Sequence, residues 1–116
     1  MRSLSAEVDA LDTYKAVRKK FYEEADAVFG PGFFSMSEYY FMKKMGSSPF
    51  AMLFSEPRVV YDEWARIFKE EARVKMLIQK VAGPGYSTLL GDIQRNDGIR
   101  VWNYFHNLKK GLSMAA

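Results

Sequence analysis

The chain has 116 residues, of which 48% are hydrophobic, 16% aromatic and 27% charged, with a net charge of +3 and a pI near 9.1. One ordinary domain, 1–116, accounts for that length, and so rich an aromatic share excludes a disordered chain. No cysteine is present, which excludes disulfide frameworks, thiolate metal sites and cysteine nucleophiles. Charge interrupts every apolar run too soon for a membrane span, and the N-terminus lacks a signal-peptide core, so a cytoplasmic protein with no membrane partner is expected. Residues 1–30 carry five basic and six acidic side chains, 31–81 eight and six, and 82–116 four and two. The basic excess therefore follows the first helix. It permits nucleic-acid binding without requiring it.

In chain order, Val8, Leu11, Tyr14, Val17, Phe21, Ala25 and Val28 recur at spacings of three and four, which predicts a helix over Ser5–Phe29. Gly30-Pro31 ends it, because glycine accepts the left-handed cap and proline cannot extend a helix. A second helix is predicted over Met36–Met45, with Ser35 and Glu38 as a capping box. Tyr39–Met42 also fits a short strand. Gly46 closes this segment, and Ser48-Pro49 opens a short helical turn over Phe50–Phe54.

Ser55-Glu56-Pro57 starts the clearest periodic stretch, which runs to Val81. Roughly 25 residues at about 1.5 Å each would make a rod of nearly 40 Å. Its broad side carries Val60, Trp64, Ile67, Phe68, Val74, Ile78 and Val81, and a narrow opposite stripe carries Arg66, Lys69, Arg73 and Lys80. Glu71 falls in the middle of the apolar side, where a bare buried carboxylate would cost several kcal/mol. Lys75, four residues on, offers a partner. Either this part of the rod is uncovered, or the pair lines an interface or polar cavity. A rod too long for its own core also favours self-association, and a homodimer is expected. Gly83-Pro84-Gly85 ends the rod. A fifth helix follows over Ser87–Gln94, then an Asn96-Asp97-Gly98 turn and a last helix over Ile99–Lys110, closed by Gly111. Gly-Pro-Gly-aromatic occurs at both Gly30–Phe33 and Gly83–Tyr86, which reads as one stop chemistry used twice. The fold expected is an all-α compact bundle of roughly five or six helices.

Catalytic constellations are mostly absent, and carboxylate acid–base chemistry stays open. His106 is the single histidine, expected on the surface of the last helix, and no acid lies three residues before it. That rules out a di-iron or zinc helix motif. The Gly83–Thr88 segment lacks the lysine of a phosphate-binding loop, and no nucleophile elbow occurs. No cofactor or metal is expected. Carboxylates converge only in a fold, so enzymatic activity ranks below two binding functions.

The first of these rests on Leu90–Leu112. Leu90 and Gly91 form an apolar and small pair, Asp97 is positioned as a helix cap, Val101 follows Leu90 by eleven, and Phe105 and Leu108 continue the apolar side before Lys109-Lys110-Gly111-Leu112. This segment resembles the helix-turn-helix of small winged-helix transcription regulators. It departs from them in having Asn96 at the usual aliphatic turn position, and in stopping at Ala116 with too little sequence for a β-wing. The resemblance implies a C-terminal helix-turn-helix-like pair that approaches closely at Gly91, and a double-stranded DNA partner. Arg100, Asn103 and Asn107 would face bases beside Tyr104 on the exposed side, with Arg66, Lys69, Arg73, Lys109 and Lys110 on phosphates. Two packed helices with no DNA role satisfy the same pattern. The spacing of Pro57, Trp64, Ile67-Phe68, Leu77-Ile78 and Val81 is also similar to small archaeal helical domains of unknown function, from which no residue role follows. The second function is a helical module that binds a protein partner through the aromatic and methionine-rich segment Phe33–Phe54.

Overall fold

The structure, a computed structural model, describes the backbone of residues 2–115 and the side chains of residues 11–108. Every regular element among them is helical: α1 (Arg2–Phe29), α2 (Phe33–Met45), α3 (Pro49–Leu53), α4 (Pro57–Phe68), α5 (Glu71–Ala82), α6 (Tyr86–Gln94) and α7 (Gly98–Ala115), with a 3₁₀ turn at Gly83–Gly85. The all-α bundle expected from the periodicity forms, with the helix expected from Pro57 to Val81 divided in two.

At about 1.5 Å per residue, the 28 residues of α1 span about 42 Å. That matches the 43 Å longest dimension of the molecule. Thr13, Val17, Phe21 and Ala25 are its buried stripe, whereas Leu11 is exposed. Phe21 is the hub of the core. Its ring lies 5.3 Å from Trp64, 5.5 Å from Phe50, 6.1 Å from Phe105 and 6.2 Å from Phe34, so four other helices meet on one side chain of α1. A single apolar cluster runs from Val17 to Phe105.

The predicted capping box of α2 does not form. The helix starts one turn earlier, at Phe33, on a left-handed Gly32 that supplies no side-chain cap. Phe34, Ser37 and Phe41 must share one buried face, and that face already begins at Phe34. Ser35 is thus inside the helix, and Glu38 is taken by α1: Arg18 donates to it at 2.9 and 3.2 Å and the Tyr22 hydroxyl at 2.5 Å. The strand alternative for Tyr39–Met42 is overturned by the same helix. The expected start of α3 is present, since Ser48 Oγ accepts from the Phe50 amide at 3.2 Å with Pro49 in the first turn.

The predicted 25-residue rod breaks at Lys69. Lys69 has a φ of 67° and caps α4 in the left-handed region, Glu70 is extended, and α5 begins at Glu71. The cause is a phase error in the apolar pattern. In one continuous helix, steps of about 100° would aim Glu71 and Lys75 into the core beside Trp64 and turn Leu77 outward. The break rotates α5 so that Val74, Leu77, Ile78, Val81 and Ala82 are buried instead. Glu71 becomes an exposed first-turn acid, suited to the helix dipole. It accepts from the Tyr61 hydroxyl at 2.7 Å across the joint and pairs with Lys75 at 3.6 Å. Neither an interface nor a polar cavity is needed to explain it. The self-association argued from an overlong rod loses its basis.

Two interlocks fix the C-terminal pair. Asn96, left-handed at φ 59°, accepts the Arg58 amide of the first turn of α4 at 3.1 Å, while the Arg58 guanidinium donates to the Gln94 carbonyl at the end of α6 at 3.0 Å. Each helix end is thereby capped from the other. Asp97 Oδ1 accepts from the Arg100 amide at 3.2 Å, as predicted for a cap. α7 begins one residue early and runs through Gly111 to Ala115, so Gly111 does not end it.

Candidate functional site

The expected basic stripe is parcelled out among three grooves. Arg66 and Lys69 join Lys43 and Lys44 around Tyr40 and Ile67, in a groove of about 430 Å³ between α2 and α4. Arg73 lines a second groove with Phe29, Phe33, Glu70 and Met76. Lys80 lines a third, between α1, α5 and α7. The break at Lys69 causes this division, because a straight rod would have kept all four cations in line.

The α2–α4 groove concentrates positive charge on an anchored framework. Lys44 Nζ lies 3.2 Å from Glu63 Oε1, and Arg66 Nε donates to Glu63 Oε2 at 2.8 Å. Glu63 is only 7% exposed. Burial pushes its carboxyl up, but hydrogen bonds and charge from Arg66 and Lys44 outweigh burial and hold it below the ordinary carboxylate range. Its one negative charge faces inward and fixes two cations, while Lys43 and Lys69 remain exposed. Arg73 differs: Glu70 pairs with it at 3.4 Å on the surface, so its groove carries a compensated charge.

Beside the basic groove, the outer side of α2 presents apolar and aromatic groups to solvent. Tyr39 is 60% exposed, Met36 51%, Tyr40 49% and Met42 47%. The Tyr39 and Tyr40 rings meet edge-on at 5.4 Å. The Phe33–Phe54 segment is therefore divided by function. Phe34, Phe41 and Phe50 belong to the core, whereas these four residues face out. Lys43, Lys44, Tyr39 and Tyr40 were not singled out from sequence, and the signal was the lysine pair that follows two tyrosines just off the Phe34–Ser37–Phe41 stripe.

On α7, Arg100, Asn103 and Asn107 are exposed and follow one another at helical spacing, as expected for one stripe. Arg100 Nε is 3.5 Å from Asp97 Oδ2. These three residues line none of the grooves above. The side chains of Lys109 and Lys110 lie outside the described residues. Tyr104 is not on the exposed side: it is half-buried, and its hydroxyl donates to the last carbonyl of α5, Ala82, at 2.8 Å. Nor does Gly91 bring two helices together. The nearest atoms to a methyl there would be those of the guanidinium of Arg95, the C-cap of the same helix, from 3.3 Å. The close approach is at Gly98, where a methyl would sit 2.4 Å from the Phe54 carbonyl oxygen. Leu90 is only half-buried, and Leu89 occupies the core.

His106 is half-buried rather than fully exposed. Its Nδ1 is hydrogen-bonded to the buried Thr13 hydroxyl at 3.1 Å, and its ring stacks on Trp102 at 5.7 Å. This contact ties α7 to α1. Among the described residues no three His, Asp or Glu side chains converge as a metal site, and no helix is long and apolar enough to cross a membrane. What the arrangement can do is bind: four cations on two helices, with two tyrosine rings at their edge. Comparison of the chain with protein-family models, with curated proteins and with solved structures gave no match.

Proposed function

We propose that this is a small nucleic-acid-binding protein without catalytic activity, and that it binds through the α2–α4 face. The observation that carries the reading is the convergence of Lys43, Lys44, Arg66 and Lys69 in one groove whose wall is Tyr40. Cations spaced along a groove match a phosphate backbone, and exposed tyrosine rings give unpaired bases a surface to stack on. This moves the binding surface from α7 to α2–α4, while retaining Arg66 and Lys69 as phosphate contacts. The stacking tyrosines favour a single strand over a duplex.

Fluorescence anisotropy with a labelled mixed-sequence single-stranded oligonucleotide tests the proposal. Tyr39→Ala/Tyr40→Ala is expected to weaken binding about tenfold or more, since each stacked base contributes about 1–3 kcal/mol. Arg100→Ala/Asn103→Ala on α7 is expected to leave it unchanged. The reverse pattern would return the binding surface to the helix-turn-helix-like pair and double-stranded DNA.

A second reading has its own observation. Met36 and Met42 stand exposed beside the tyrosines, and such a patch also suits a protein partner. An oligonucleotide that fails to bind at low salt would make this protein-docking role of α2 the better account.

A further inference from the structure

We infer that the groove between α1, α5 and α7 is a second binding site, one that takes a single-chain anionic amphiphile. The groove holds about 570 Å³, within the usual range of small-molecule clefts of about 300–1,000 Å³. Its floor is the edge of the core, formed by Val17, Val81, Phe105 and Leu108. Its rim carries Lys19 and Lys20 from α1 and Lys80 from α5, against one carboxylate, Glu23. An apolar floor below a cationic rim is the complement of a hydrocarbon tail bearing a carboxylate, sulfate or phosphate head.

The lysines are available to such a head group. Lys19 is paired with Glu23 at 3.9 Å and Lys20 with Glu24 at 3.3 Å, both one turn apart on the same helix. Ion pairs of this kind at a surface are weak and exchange readily. Lys80 makes no ion pair among the described residues. Long lysine stems also cover the upper apolar wall while their ammonium groups stay in water. The neighbouring groove at Phe29 and Phe33 makes the contrast, because it sets one cation, Arg73, against one carboxylate, Glu70, whereas Lys19, Lys20 and Lys80 face only Glu23 and Glu24 and keep a net positive charge.

The site is separate from the α2–α4 face, so the two proposals stand or fall independently. Laurate, kept below its critical micelle concentration, is the probe. It is titrated into the full chain by calorimetry and by amide chemical-shift mapping. The expected result is saturable one-to-one binding, with shifts concentrated at residues 16–23, 80–84 and 105–108. Lys20→Gln/Lys80→Gln should weaken laurate about tenfold or more by removing two charge-assisted contacts, while circular dichroism remains that of the parent. Dodecyltrimethylammonium, with a tail one carbon longer and the opposite charge, should not bind. Absence of saturable laurate binding, equal binding of both detergents, or loss on Lys43→Gln/Lys69→Gln in place of the α1–α5 pair would each overturn the inference.

Discussion

Trp64 shows how the core divides its work among single side chains. It is 1% exposed, and rings of Phe21, Phe34, Phe50 and Phe68 surround it at 5.3–6.3 Å, yet its Nε1 finds no hydrogen-bond partner among the described residues. Removing an unpaired donor offsets part of the lost volume. Trp64→Ala should therefore cost about 3–5 kcal/mol, and Trp64→Phe only roughly 1–2 kcal/mol, read from denaturant midpoints. A Trp64→Phe loss well above that range would mean that the indole nitrogen has a partner. Glu63 sets a pH dependence. Its folded pKa is lowered, so on acidification the unfolded chain takes up this proton first. Its contribution is complete at neutral pH, and it falls away from the ordinary carboxylate range, about 4, down to the lower folded value. In Glu63→Gln the loss of urea stability between neutral and acid pH should be shallower than in the parent, and an unchanged slope would contradict the ion-pair geometry. The two glycines of the C-terminal pair separate as well. Gly98→Ala should destabilise by about 1–3 kcal/mol through its clash with the Phe54 carbonyl. Gly91→Ala should stabilise by about 0.5–1 kcal/mol, since only a mobile arginine must move.

At the scale of the helices, many ends were legible from a local residue, although the left-handed Gly32 that opens α2 was missed and Gly111 does not end α7. Gly30 and Gly46 take positive φ at the ends of α1 and α2, Ser48 caps α3, Pro57 opens α4 and Asp97 caps α7. What local pattern could not supply were ends set by partners far along the chain. The Asn96 side chain serves an amide 38 positions away, and Glu38 serves α1. The break at Lys69 is intermediate. No glycine or proline marks it, but an acid at the centre of an apolar face, with Leu77 left outside that face, already showed that one helix could not satisfy the whole stretch. The break also decided how much of the candidate site could be read, because a straight rod hid the division of its cations among three grooves. Lys69→Gly tests it by sign. At a left-handed cap glycine should raise stability by about 1 kcal/mol. In the middle of a continuous helix it would lower stability by a similar amount, about 1 kcal/mol.

Over the whole molecule, a net charge of only +3 conceals a strong local arrangement. Ion pairs neutralise Arg73, Arg95 and Lys75 beside their own acids. Lys43, Lys44, Arg66 and Lys69 face one groove with a single inward carboxylate. The proposed function depends on that imbalance rather than on the total. Its most direct test is the salt dependence of single-stranded oligonucleotide binding, measured for the parent and for Lys43→Glu/Lys69→Glu. Contacts from three or four cations predict that affinity falls roughly twenty- to fifty-fold between about 50 and 200 mM salt, and that the doubly reversed variant binds more weakly with a shallower slope. Binding that ignores salt, or a variant that keeps the parent's affinity and slope, would contradict the α2–α4 face as a nucleic-acid surface.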